Sequence, residues 1–175
     1  MQTRERILKM PSHWYTVQSK PRQENLARQN LDRQGFTTYL PLITQRKRRR
    51  NQWTQVTEPL FPRYLFIHVD PSQQSLAPVR STLGVSQLVR FGQLLRPVPD
   101  AVIDYLRAME TADTGAREDH SPRYQPGDRV EILEGPFAGL SGVYQMQDSD
   151  HRALLLVELL GRSNPVTVEL DALSA

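Results

Sequence analysis

The chain has no cysteine. That removes disulfides, thiolate metal sites and cysteine nucleophiles together, and it fits a reducing, cytoplasmic setting. No apolar run approaches the roughly 20 residues a membrane helix needs, so no membrane partner is expected. The opening residues, MQTRERILKMPS, hold Arg4, Arg6 and Lys9 without the apolar core of a secretory signal, and residues 1–12 read as a flexible leader. The histidines, His13, His68, His120 and His151, show no metal-ligand spacing. No nucleophile motif or phosphate-cradling glycine loop is present either. No metal, no cofactor and no enzymatic chemistry is expected.

What the chain does have is an uneven charge. Its net +3 conceals 17 Lys and Arg against 8 Asp and Glu over residues 1–110, and 5 against 11 over residues 111–175. The first part therefore carries +9 and the second −6. A basic half facing an acidic one implies a nucleic-acid or phosphate partner for the first and a different, basic partner for the second, and lets the halves attract each other.

The stretch TEPLFPRYLFIHVD (57–70) organises the rest. Its second half is aromatic and β-branched with no Gly or Pro, so Tyr64 to Val69 reads as a central strand. Alternation places Leu65, Ile67 and Val69 on one face and Tyr64, Phe66 and His68 on the other. The aliphatic face suits packed helices. The aromatic face, entered through Leu60 and Phe61, is either a second core layer or a docking surface.

Around this strand the chain alternates in type. A strand is expected over His13 to Ser19, a helix over Arg22 to Gln34 ending at Gly35, and a strand over Phe36 to Ile43 with Pro41 near a sheet edge. Five consecutive cations, Arg46, Lys47, Arg48, Arg49 and Arg50, read as the solvated tip of a hairpin whose return arm is Trp53 to Thr57. A short helix around residues 73–80, a strand over Val85 to Phe91 and an amphipathic helix over Ala101 to Thr111 follow. This order implies an α+β chain: an N-terminal α/β sandwich over 13–111 with helices on a mainly antiparallel sheet.

Residues 112–123 lack periodicity and read as a linker. Beyond them, over 124–175, short alternating runs separated by turns imply a small β-barrel. One local conflict exists: ALLLVELL (153–160) is made of good helix formers.

EPLFPRYLFI (58–67), GVSQLVRFG (84–92) and GDRVEILEGPFAGLSGV (127–143) together resemble the NusG family of bacterial transcription elongation factors. The last looks like its KOW motif and the first two like its N-terminal (NGN) domain. Within the family, the EPLFP segment, VRFG and the Arg-rich hairpin are most similar to the RfaH-type antiterminator paralogues, whereas EGPFAGLSGV looks more like the general factor. The resemblance implies a monomer that docks on the clamp helices of the RNA polymerase β′ subunit through Phe61, Tyr64, Phe66 and Phe91. It further implies a bridge to the β subunit across the DNA channel, and suppression of pausing and termination.

The hairpin, extended by Lys20, Gln23, Arg33 and Gln34, is then expected to hold non-template or upstream DNA. Leu26, Asn30 and Leu83 depart from the RfaH pattern, which speaks against the same sequence preference. In the KOW domain, Val130, Ile132, Phe137, Leu140 and Tyr144 are candidates for contact with a small-subunit ribosomal protein, and equally for the inside of the barrel. RfaH-type factors also imply an autoinhibitory α-helical hairpin in place of the barrel, pinned by an interdomain ion pair matching Glu58 and Arg152. Gly135, Pro136, Gly139 and Gly142 oppose its first helix, so the barrel with an open docking patch is the expected form. The rival reading is a ribosome-associated KOW-type RNA-binding protein.

Overall fold

The computed structural model describes residues 12–111, 140, 142–144, 146 and 148–161. In chain order the elements are β1 (His13–Ser19), α1 (Glu24–Arg33), β2 (Thr37–Tyr39), β3 (Leu42–Arg49), β4 (Gln52–Pro59), β5 (Tyr64–Val69), α2 (Ala77–Ser81), β6 (Val85–Leu88), α3 (Asp100–Thr111) and α4 (Ser149–Leu160). They fall into two units: residues 12–40 with 63–98, and residues 41–62 with the described residues from 99 onward.

The first unit is built on an antiparallel sheet of order β2-β5-β1-β6. The strand expected at the centre does lie inside the sheet, its register running from Val69 opposite His13 to Tyr64 opposite Gln18. Leu65, Ile67 and Val69 are buried with Tyr15 and Val17 on one face. The other face is also largely covered. Trp14, Thr16 and Phe66 are buried there, with the Trp14 and His68 rings 4.8 Å apart and Tyr39 stacked 6.4 Å from Phe66.

Helix α1 lies against β2 and β5 and buries Glu24, Ala27 and Leu31 at helical spacing. It ends at Gly35, whose φ of +90° is open to glycine at little cost. Gly84 has a stricter role. Its φ is +92°, and a Cβ there would sit 2.8 Å from the Ala27 backbone nitrogen, so the turn before β6 presses directly on α1.

Two boundaries differ from the sequence expectation. The strand anticipated over 36–43 is two strands, β2 at an edge of the four-stranded sheet and β3 in a separate two-stranded sheet, with the chain leaving extended pairing at Leu40–Pro41. Proline has no N–H to continue a ladder. The strand anticipated over 85–91 stops at Leu88, and Phe91 instead bridges Leu94 across Gly92, whose φ is +65°.

In the second unit β3 and β4 form a hairpin in continuous register from Leu42 opposite Pro59 to Arg49 opposite Gln52. Its two tip residues, Arg50 and Asn51, have φ of +49° and +62°, the left-handed pair that matches strand twist in a tight hairpin. The cations are therefore strand residues along one arm, and only Arg50 belongs to the tip. At the base, the Glu110 carboxylate of α3 accepts the Leu42 N–H at 3.0 Å, while α3 buries Val102, Ile103 and Leu106.

The β-barrel expected over 124–175 is corrected where this segment is described. Leu140 and 142–144 are helical, and the run 153–160, expected as part of the barrel, lies in the helix α4. Part of the reason is local. ALLLVELL consists of strong helix formers. Asp148 caps them, accepting the N–H groups of Asp150 (2.9 Å) and His151 (3.3 Å), and Gly161 closes the other end. The Gly and Pro residues weighed against a helical form all lie before α4. Gly142 is itself helical, with open space where a Cβ would stand.

Candidate functional site

Glu58, near the end of β4, and Arg152, on the first turn of α4, carry the most concentrated polar chemistry among the described residues of the second unit. The Arg152 side chain is fully buried, where an unpaired guanidinium would be costly. It is nevertheless well supplied with acceptors. Nε donates to the Leu60 carbonyl (2.8 Å), Nη1 to the Met146 carbonyl (2.9 Å) and Nη2 to Glu58 Oε1 (3.0 Å). The second Glu58 oxygen accepts from Lys47 Nζ at 2.9 Å. Burial alone pushes the Glu58 carboxyl up, but the hydrogen bonds and charges of Lys47 and Arg152 outweigh it and hold the group below its ordinary value. The two residues that the RfaH resemblance pairs lie within hydrogen-bonding distance here. Lys47, read from sequence as a DNA contact, is half of the same site, and only its distance from Glu58 across a hairpin could have revealed that.

Helix α4 turns Arg152, Ala153, Leu156 and Leu159 inward and leaves Leu154 in solvent. Its anchor on the Leu60 carbonyl lies next to Phe61. Of the aromatic residues expected to form an open patch, Phe61 and Phe66 are 0% exposed, and Tyr64 and Phe91 are half-buried. The open-patch expectation is therefore corrected. Phe66 is taken up by the covered sheet face, and Phe61 belongs to the segment that holds Arg152. Phe91 keeps the Arg96 guanidinium 5.7 Å from its ring centre.

The basic residues divide between the units. Lys20, Arg33 and Gln34 are exposed and Gln23 is half-buried at the ends of α1. Gln34 is tied to Thr82 Oγ1 at 2.7 Å, and Arg33 to Asn30 at 3.4 Å. Arg46, Arg48, Arg49 and Arg50 are exposed on the hairpin, whereas Lys47 is half-buried. Among the ribosome-contact candidates, Leu140 is buried, and the Tyr144 hydroxyl donates to the Leu106 carbonyl at 3.3 Å. Val130, Ile132 and Phe137 lie outside the described residues. Among the described residues no group of acidic or histidine side chains is arranged to hold a metal ion, and no helix is long and apolar enough to cross a membrane.

The described residues thus form an antiparallel α+β unit, a cationic hairpin and a helix pinned by an ion pair with a buried arginine. A family model described as "Transcription termination factor nusG" matches residues 12–107. The chain is 31% identical over 117 residues to the transcription termination/antitermination protein NusG of Helicobacter pylori, spanning 66% of this chain and 65% of that one. It is 29% identical over 173 residues to the protein of the same name from Staphylococcus carnosus, spanning 90% and 92%. A solved structure described as "Domain interaction in Thermotoga maritima NusG" aligns with a TM-score of 0.45 at 21% identity, covering 73% of this chain and 76% of that one. The chain belongs to the NusG family.

Proposed function

We propose that the protein is a transcription elongation and antitermination factor of the RfaH-like type, held in this structure in an inhibited form. Phe61, freed with α4, docks on the β′ clamp helices of RNA polymerase together with the half-buried Tyr64 and Phe91, a second contact reaches the β subunit, and pausing and termination are suppressed. Arg46, Arg48, Arg49 and Arg50 hold non-template or upstream DNA, supported by Lys20, Gln23, Arg33 and Gln34. The released C-terminal segment refolds to a KOW barrel and contacts a small-subunit ribosomal protein. The observation that carries this reading is the buried Arg152 of α4, fixed to Glu58 and to the Leu60 carbonyl beside a wholly covered Phe61.

The test is binding of the full chain to purified RNA polymerase, followed by transcription across a long template. The Glu58→Ala chain should bind more tightly than the natural one, and adding Phe61→Ala should abolish the gain. If neither chain binds polymerase, and both bind ribosomal RNA instead, the reading is wrong.

A further inference from the structure

Alternation gives the β3–β4 arm two unlike faces, since directly opposed residues share a side. Lys47 lies on the same face as Gln45 and Glu58, and this face is engaged inside the unit: Lys47 pairs with Glu58, and Gln45 Nε2 donates to the Met146 carbonyl at 3.4 Å. Arg46 and Arg48 share the opposite face with Trp53 and Gln55. Trp53 stands directly across from Arg48, is 61% exposed, and has the Arg46 guanidinium 5.9 Å from its ring centre. The other tryptophan, Trp14, is 6% exposed in the sheet of the first unit. An indole left this open loses the gain of burial, while the neighbouring Thr54 and Gln55 show that the arm forms with polar residues.

We propose that Trp53 stacks an unpaired base of single-stranded DNA while Arg46 and Arg48 take the flanking phosphates. The cations of the arm suit any nucleic-acid backbone and cannot by themselves distinguish one strand from two. An aromatic plane can, because bases in a duplex already stack on each other and offer no free face. The cation beside the indole fixes the ring, so little freedom is lost when a base arrives. This rests on the reading of the arm as a DNA contact and deepens it to a preference for unpaired strand.

The test titrates the full chain with a short oligo-dT, an abasic oligomer of equal length and charge, and a duplex of equal length, following tryptophan emission and anisotropy. Oligo-dT should quench the solvent-exposed emission and bind about tenfold more tightly than the abasic oligomer. Trp53→Ala should erase that ratio while keeping the abasic affinity, and Trp53→Phe should keep most of it. Equal binding of oligo-dT and abasic oligomer by the natural chain, or an unchanged ratio in Trp53→Ala, overturns the stacking. The variant with Arg48, Arg49 and Arg50 all changed to Ala tests the underlying reading separately. If it binds every oligomer as the natural chain does, the arm is not a DNA contact, whereas its weakening together with an unchanged Trp53→Ala ratio removes only the stacking.

Discussion

Arg152 reaches Glu58 across 94 positions of sequence, with a 3.0 Å hydrogen bond between Nη2 and Oε1 and no exposure of the arginine side chain. The two partners are not equivalent. The Glu58 side chain is 21% exposed and also bonds Lys47, whereas the Arg152 side chain is 0% exposed and draws on Glu58 and on the Leu60 and Met146 carbonyls.

That asymmetry sets the order of two substitutions. Glu58→Ala takes a charged partner from a fully buried cation and should destabilise the packing of α4 by about 3 kcal/mol. Arg152→Met, which keeps the apolar volume, should cost less. Hydrogen exchange of the α4 amides reads both. The charge-swapped pair, Glu58→Arg with Arg152→Glu, should fail to restore protection, because Lys47 would then face a second cation.

Acid should release the same helix. A carboxyl held below its ordinary value stabilises the fold fully above the unfolded pKa of about 4.3, and that stabilisation disappears as pH falls through the lower folded value. Protection of α4 should therefore be flat from neutrality to about pH 5 and fall below about pH 4. Asp148 contributes in the same window. It is likewise held below its ordinary value, first by the His151 N–H hydrogen bond, and it caps the helix. Glu58→Gln should weaken the acid dependence, and adding Asp148→Asn should remove most of the remainder. An acid profile that Glu58→Gln leaves unchanged would show that other carboxyls govern the release.

Two glycines with nearly the same backbone separate strain from crowding. Gly35→Ala meets only the Gln74 amide nitrogen at 4.0 Å, so it should cost about 1 kcal/mol for a positive φ alone. Gly84→Ala adds contact with the Ala27 backbone at 2.8 Å and should cost clearly more, since α1 must move away from β6. Denaturant midpoints of the two variants make the comparison, and equal midpoints would refute the close approach.

Much of the first unit is legible in sequence. β1 and β5 match their expected bounds because HWYTVQS and YLFIHV are unbroken strand formers, and α1 and α3 follow from the spacing of Ala27 with Leu31 and of Val102 with Leu106. The break at Pro41 is marked by the residue itself, but the assignment of the following strand to another sheet depends on distant pairing. The form of the C-terminal segment is hidden for a different reason. ALLLVELL is compatible with strand or helix, and the balance is tipped by Glu58, Leu60 and Met146, which no local pattern connects to Arg152. The residue types of the candidate site were readable, whereas the sharing of one carboxylate by Lys47 and Arg152 was not.

Arg48, opposite Trp53, is five ladder positions from Ile43, opposite Glu58, which makes about 17 Å of extended chain. At physiological ionic strength that is roughly twice the distance over which exposed charges sense each other. The Arg48 charge is thus screened from the carboxylate at the root of the arm, whereas Lys47, its neighbour in sequence, bonds that carboxylate at 2.9 Å. Coupling between an anion on the outer arm and the helix at its root would therefore run through Lys47, which shares Glu58 with Arg152.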